Sequence, residues 1–256
     1  MAATFNSVEK ALRILKAFDG ERLYWGVREL STHLGFSPAT VQRILQILKA
    51  HAFVDQDPHT RQYRLGNIYF SFLQSLQRTY PVTRVAQSFM KQLLSRTQET
   101  VHLNVIEGNE RICIDNVESS QNLKGFMPIG SRSPLYAGAS SKCLLAFSGR
   151  DFIEAYLQQV KLSAITKNTL TDQKKIRAEL EIIRKQGYAD SLGERNPGLG
   201  SLSAPILDYR GGLLASISLA IPEIRFQDQK LRKKYVKELL QVAKNFSEAM
   251  GYRDTY

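Results

Sequence analysis

The sequence predicts an α+β protein in two parts: a small N-terminal unit of three helices and a β-ribbon, and a larger C-terminal domain built on an antiparallel sheet. Three observations carry this. Apolar residues recur at helical spacing three times within residues 7–50, and two strand-like runs around an Asp-Pro turn follow. A long helical stretch then leads into a region where hairpins and helices are interspersed. Finally, 256 residues at 43% hydrophobic and 23% charged are enough for about two domains with cores of their own.

In "SVEKALRILKAF" the residues Val8, Ala11, Leu12, Leu15 and Phe18 form an apolar stripe behind Ser7 as N-cap. "VRELSTHLG" repeats the period with Val27, Leu30 and Leu34, and Gly35 stands where a left-handed residue ends a helix. Ser37 then caps a third helix, Pro38 suits its first turn, and Val41, Ile44, Leu45 and Leu48 make its buried stripe. Two short helices joined by a tight glycine turn form a helix-turn-helix. The opposite face of the second helix carries Thr40, Gln42, Arg43 and Gln46, side chains able to hydrogen-bond base edges or phosphates. "FVDQ" and "RQYRL" around "DPHT" add a wing, with Arg61 and Arg64 expected on its second strand. Duplex DNA is the expected partner of this winged helix-turn-helix, contacted through Arg28, Ser37, Thr40, Gln42, Arg43, Gln46, Arg61 and Arg64. A three-helix unit with a ribbon also serves as a protein-contact scaffold, and the pattern by itself leaves that reading open.

The following stretch, "NIYFSFLQSLQRTYPVTRVAQSFMKQLLSRTQE", is helical in period with a break near Pro81, and Ile68, Phe72 and Leu76 share one face suited to self-association. "VHLNVIEGNERICIDNVES" reads as a hairpin about Gly108-Asn109, with Val101, Leu103, Val105, Ile112 and Ile114 alternating. A bend at "PIGSRSPLYAG" leads into the helix "ASSKCLLAF", followed by helices in "DFIEAYLQQV" and "LTDQKKIRAELEIIRKQGY", the latter ending at Gly187. The loop "SLGERNPGLGS", strands "LSAPILD" and "GLLASISLAI", and a closing helix from about Asp228 to Met250 complete the chain. The expected division is 1–66 for the winged unit, 67–79 for a linker helix and 80–256 for the second domain.

Other classes are excluded in turn. No apolar run is long enough to cross a bilayer and "MAATFNSVEK" lacks a signal-peptide core, so no membrane partner and a cytoplasmic location are expected. Cys113 and Cys143 have neither disulfide nor zinc spacing, and His33, His51, His59 and His102 have no metal spacing. "GASSK" fails the nucleophile-elbow pattern at Lys142, and "GLGSLS" fails the dinucleotide pattern at Ser203, so no enzyme and no cofactor are expected. The net charge of +11 permits a polyanion partner, although residues 1–78 hold only ten Lys and Arg against six Asp and Glu.

Taken in order, "SVEKALRIL", "TVQRIL", "DPHTRQYRLG", "GSRSPLYAGASSKCLLAF", "LTDQKKIRAELEIIRKQGYA" and "SAPILDYRGGLLASISLAIP" resemble the IclR family of bacterial transcriptional regulators along nearly the whole chain. The resemblance implies a winged helix-turn-helix joined by a helix to a GAF-like effector-binding domain, in dimers that often pair into tetramers. It also implies a small-molecule effector at the start of the "ASSKCLLAF" helix. There, free backbone N–H groups at the helix start near Ala139, with hydroxyl donors from Ser140 and Ser141, suit a carboxylate, pointing to a small organic acid. Phe126, Met127 and Tyr136 are expected to line the other end, and Ser191, Glu194, Ser201, Ser203 and Ser218 to complete the pocket. The chain departs from the family at Pro38-Ala39, where many members carry Lys-Ser. Members with a small 2-oxoacid ligand have glycine, alanine, aspartate and cysteine where this chain has Ala139, Ser140, Ser191 and Ser201, so the ligand's identity does not carry over.

Overall fold

A computed structural model describes residues 7–18, 22–80 and 82–253. The chain divides into two compact units, 1–80 and 81–256.

In the first unit α1 (Ser7–Lys16), α2 (Val27–Leu34) and α3 (Pro38–Ala50) precede a ribbon of β1 (Val54–Gln56) and β2 (Tyr63–Leu65) and then α4 (Ile68–Thr79). Ser7, expected as a cap, is the first described helical residue. Of the expected α1 stripe, Phe18 is in the core and Ala11 and Leu15 pack against it, but Val8 and Leu12 are exposed at 69% and 55% and Ile14, outside the stripe, is fully buried. The stop signal of α2 and the start signal of α3 act as read, and a cap at Gly26 that was not read starts α2. The Gly26 N–H donates to Glu29 Oε2 at 2.7 Å, Gly35 ends α2 at φ 69°, and Ser37 Oγ accepts from the Thr40 N–H at 3.3 Å. Val41, Ile44, Leu45 and Leu48 then bury against Ile14, Leu30 and Val54. Trp25 exchanges backbone hydrogen bonds with Tyr63, and its Nε1 donates to the Ala17 carbonyl at 2.9 Å, tying the wing to the helices. Gly66 is required where the chain leaves the wing, since a Cβ there would lie 2.0 Å from the Ala52 carbonyl oxygen.

The second unit begins with α5 (Thr83–Thr97); Pro81, where the helical break was expected, lies outside the described residues. The hairpin β3 (Thr100–Glu107) and β4 (Glu110–Val117) follows, then β5 (Arg132–Pro134), α6 (Ala139–Phe147), α7 (Arg150–Gln159) and α8 (Gln173–Gln186). β6 (Ala189–Leu192), β7 (Leu199–Leu207), β8 (Leu213–Pro222), the single turn α9 (Glu223–Phe226) and α10 (Gln229–Ala249) close the domain. β5, β6 and α9 fall where only bends and a loop were expected; at three or four residues each is too short to display a period. The six strands form one antiparallel sheet in the order β5-β4-β3-β8-β7-β6. Helices cover it on both faces, and Ala215–Pro222 of β8 are accordingly buried without interruption.

Register sorts the sheet into two chemistries. Directly opposed residues share a face, so the pairs His102–Ser218, Asn104–Ser216 and Ser203–Ser218 assemble a polar face, and Val101–Leu219, Leu103–Ile217 and Leu202–Leu219 an apolar one. β4 corrects the sequence reading, because Arg111 and Cys113 are buried while Ile112 and Ile114 are only half-buried. Burial alternates from Glu110 to Ile114 in the phase opposite to the apolar residues, and a register shift follows where Asn104 pairs with Cys113 and Leu103 with Asp115. No described helix is long and apolar enough to cross a membrane.

Candidate nucleic-acid interface and ligand cavity

The outward face of α3 carries Ala39, Arg43, Gln46, Ile47 and Ala50, all exposed, with Thr40 half-buried at its edge. Arg43 and Gln46 present free polar ends there. Gln42 sits to the side, half-buried, with Nε2 donating to the Tyr63 hydroxyl at 3.4 Å, so it braces the helix against the wing. Ser37 and Thr40 hydroxyls lie 2.9 Å apart and serve the cap. Arg28 is exposed on α2. Arg61 is not on the second wing strand: it lies in the turn before β2, exposed, in the left-handed region at φ 59°. Arg64 is on β2, but Nη2 donates to Asp55 Oδ2 across the ribbon at 3.0 Å, and that hydrogen bond raises its pKa. Of the wing cations, Arg61 is therefore the freer.

In the second unit, a cavity of about 30 Å³ opens between the start of α6 and the polar face of the sheet. Of the expected residues, Met127, Ala139, Ser140, Ser191, Glu194 and Ser201 line it. The others lie elsewhere for identifiable reasons. Phe126 is 59% exposed, on the loop before β5. The Tyr136 hydroxyl donates to the Ser163 carbonyl at 2.9 Å, away from the cavity. Ser141 Oγ is 3.0 Å from Ser133 Oγ, and Ser203 and Ser218 satisfy each other at 2.7 Å, fully buried within the sheet.

Two of the N–H groups that open α6 already have partners. The Gly138 N–H donates to Glu194 Oε2 at 2.8 Å and the Ala139 N–H to Ser191 Oγ at 3.0 Å, which leaves those of Ser140 and Ser141 for a ligand. Glu194 is held in turn by the fully buried Lys142, whose Nζ is 2.5 Å from Glu194 Oε1 and 2.6 Å from Glu179 Oε1. Burial raises the Glu179 carboxyl above its usual range.

Three cavity features were not anticipated. Arg195 forms a wall, its stem 3.0 Å from where a Gly138 Cβ would be; Gly138 has φ 89° and no room for one. Behind the wall is Arg111, 0% exposed, donating to Ser133 Oγ (3.0 Å), Asn104 Oδ1 (3.3 Å) and the Ser131 carbonyl (3.3 Å). Neither guanidinium has a carboxylate partner among the described residues. Burial, reinforced by Arg195, lowers Arg111 to about 10, and burial lowers Arg195 too. Third is His102, with Nδ1 3.1 Å from Asn104 Oδ1. Alternating serines in "GSLSA" and "SISL" were the available signal for a polar sheet face over this cavity. Cys113 and Cys143 are buried, and burial pushes their thiols up to about 11 and about 12.

Residues 7–58 match the IclR helix-turn-helix domain and residues 74–248 the family described as bacterial transcriptional regulator IclR C-terminal. The chain belongs to the IclR family. This IclR-type chain is 32% identical to the HTH-type transcriptional regulator KdgR of Escherichia coli K12 over 97% of its own length and 94% of that protein's. The crystal structure of Thermotoga maritima IclR superposes with a TM-score of 0.83 at 29% identity, covering 96% of this chain and 99% of that one. An IclR homolog from Microbacterium hydrocarbonoxydans, complexed with 4-hydroxybenzoate, shares the fold with a TM-score of 0.80 at 20% identity, covering 96% and 99%. This chain is a DNA-binding transcriptional regulator with an effector-binding C-terminal domain, and not an enzyme.

Proposed function

We propose that α3 enters the major groove with Arg43 and Gln46 toward base edges, while Arg28 and Arg61 meet phosphates, and that the C-terminal cavity binds a small organic acid that changes DNA affinity. The observation carrying the second half is Arg195, a largely buried cation in the cavity wall, with the buried Arg111 close enough to repel it, and neither has a carboxylate partner among the described residues. An unpaired buried charge costs several kcal/mol, and an anion held by Arg195 and the Ser140 and Ser141 N–H groups would offset that cost. At about 30 Å³ the cavity is far below the roughly 300–1,000 Å³ of drug-sized pockets, so the acid is small or displaces the Arg195 side chain.

A single winged helix reads few base pairs, so the reading includes a homodimer, or a tetramer of paired dimers, spacing two recognition helices along one duplex. Ile68 is half-buried, and the Phe72 ring packs against Phe53 and Tyr69, while Phe70, Leu73 and Leu76 on α4 are 74%, 51% and 55% exposed. The dimer uses that outer face. A regulator of this kind acts beside the chromosome, in the bacterial cytoplasm.

The test is fluorescence anisotropy on a duplex spanning the region upstream of the gene, at a series of salt concentrations and, at each one, with and without a panel of small organic acids. The wild type should bind with an affinity that falls as salt rises and shifts with the matching acid. Ser140→Phe should bind DNA normally and lose the response. A folded Ser140→Phe chain that still responds puts the acid elsewhere, and a Leu73→Glu chain of unchanged mass in sedimentation removes α4 from the interface.

A further inference from the structure

The orientation of one buried amide decides what His102 offers the cavity. Asn104 Nδ2 points at the Ser216 carbonyl (3.4 Å) and Ser218 Oγ (3.2 Å), while Oδ1 faces Arg111 Nη1 at 3.3 Å. A guanidinium nitrogen can only donate and a backbone carbonyl can only accept, so a flipped amide would oppose donor to donor and acceptor to acceptor. The same Oδ1 lies 3.1 Å from His102 Nδ1, and an amide oxygen cannot donate. Nδ1 therefore carries the proton. The ring stays neutral, because burial and the charges of Arg111 and Arg195 draw its pKa from 6.5 down to about 3. A neutral imidazole protonated at Nδ1 has a bare lone pair at Nε2. That atom is buried without a hydrogen-bond partner, on a side chain 1% exposed that lines the cavity.

We propose that His102 Nε2 accepts a hydrogen bond from a hydroxyl of the effector, which makes the effector a hydroxy acid and His102 the residue that selects it. This rests on the cavity being the acid site and adds to that reading a second functional group and its partner. A carboxylate or keto oxygen at Nε2 would set lone pair against lone pair, and a methylene would leave the acceptor unmet. Leaving a buried acceptor unsatisfied costs about 1–3 kcal/mol, which corresponds to roughly 5- to 150-fold in affinity. Hydroxy acids should be preferred over their oxo and deoxy analogues by a factor in that range.

Two measurements on the full chain test this. ¹⁵N spectra of histidine-labelled protein, with the His102 signals identified by their loss in His102→Gln, should show Nδ1 protonated and Nε2 bare; a proton on Nε2 overturns the proposal. Lactate, pyruvate and propionate, and likewise glycerate and its oxo and deoxy analogues, are then compared by titration calorimetry. Within a set the hydroxy acid should bind tightest and perturb the Nε2 resonance, and His102→Phe should lose the preference while retaining the weaker binding of the oxo and deoxy members. Equal affinity within each set overturns the role of His102 and leaves the anion site standing. If no carboxylate binds the wild type, the anion site falls, and this proposal with it.

Discussion

From Ile14 to Tyr63 the buried side chains of the first unit are apolar, and Arg28, Arg43 and Arg61 stand in water; the second unit buries Arg111, Lys142, Glu99 and His102 inside a domain more than twice as long. Among the described residues, every buried polar or charged side chain belongs to the second unit. The difference follows from what each must recognise. A phosphate backbone is a solvated polyanion met at a surface, where long-range attraction and counterion release suffice. A small ligand has few atoms, so its recognition groups must be fixed in advance and shielded from water, where each contributes more. Buried charge in the second unit comes in two forms: a closed set, as in Lys142 with Glu194 and Glu179 or Glu99 with Arg225, and an open one in Arg111 and Arg195.

The contrast is tested most severely at the closed set. Lys142→Met leaves two carboxylates beside the cavity without their cation and should lower stability by about 3–5 kcal/mol, read from the urea transition of the C-terminal domain. A loss under about 1 kcal/mol would show that Lys142 is not the buried counter-charge its contacts imply. In the first unit the same kind of change should spare stability and strike binding. Arg43→Ala should lower operator affinity by roughly 1–3 kcal/mol and relax sequence preference, whereas Arg61→Ala weakens all duplexes about evenly. Identical behaviour of the two variants would place Arg43 on phosphate.

Acid sharpens the comparison further. His102 has a folded pKa of about 3 against the ordinary 6.5, so the unfolded chain takes up the extra proton. Stability from this residue is complete above pH 6.5 and is lost as pH falls toward 3, by up to about 1.4 kcal/mol per pH unit. His102→Gln should flatten that decline in a series of chemical melts, and an unchanged slope would assign the acid sensitivity to other groups. The smallest effect belongs to the wing. Arg61→Gly relieves a left-handed backbone and should raise the melting temperature, by roughly 0.5–1 kcal/mol of stability, while DNA binding weakens.

The same contrast governs what the sequence disclosed. Gly35, Ser37 and Pro38 act within one helical turn of themselves, so the helix-turn-helix was legible from a dozen residues. The α3 stripe of Val41, Ile44, Leu45 and Leu48 was legible for the same reason. Gln42 and Arg64 were read as free because their partners, Tyr63 and Asp55, are supplied by the tertiary fold. In the cavity, Ser140 and Ser191 were accessible from the start of one helix and its matched positions. Arg111 was hidden by its own strand: burial alternates from Glu110 to Ile114, but the apolar Ile112 and Ile114 suggested the opposite phase. Arg195 and His102 meet through chain segments 93 residues apart, a distance no local pattern spans.

The sheet of the second unit ends on β5 at one side and β6 at the other, three and four residues long. β5 contains Arg132, tied to Glu107 and Glu110, and Pro134, which has no N–H to give. On β6, Asp190 is engaged by Arg232 of α10. Edges this short, charged and proline-marked are poor templates for strand addition, which blocks the route by which exposed sheets nucleate fibrils. Copies of this chain can therefore accumulate at an operator without their sheets joining.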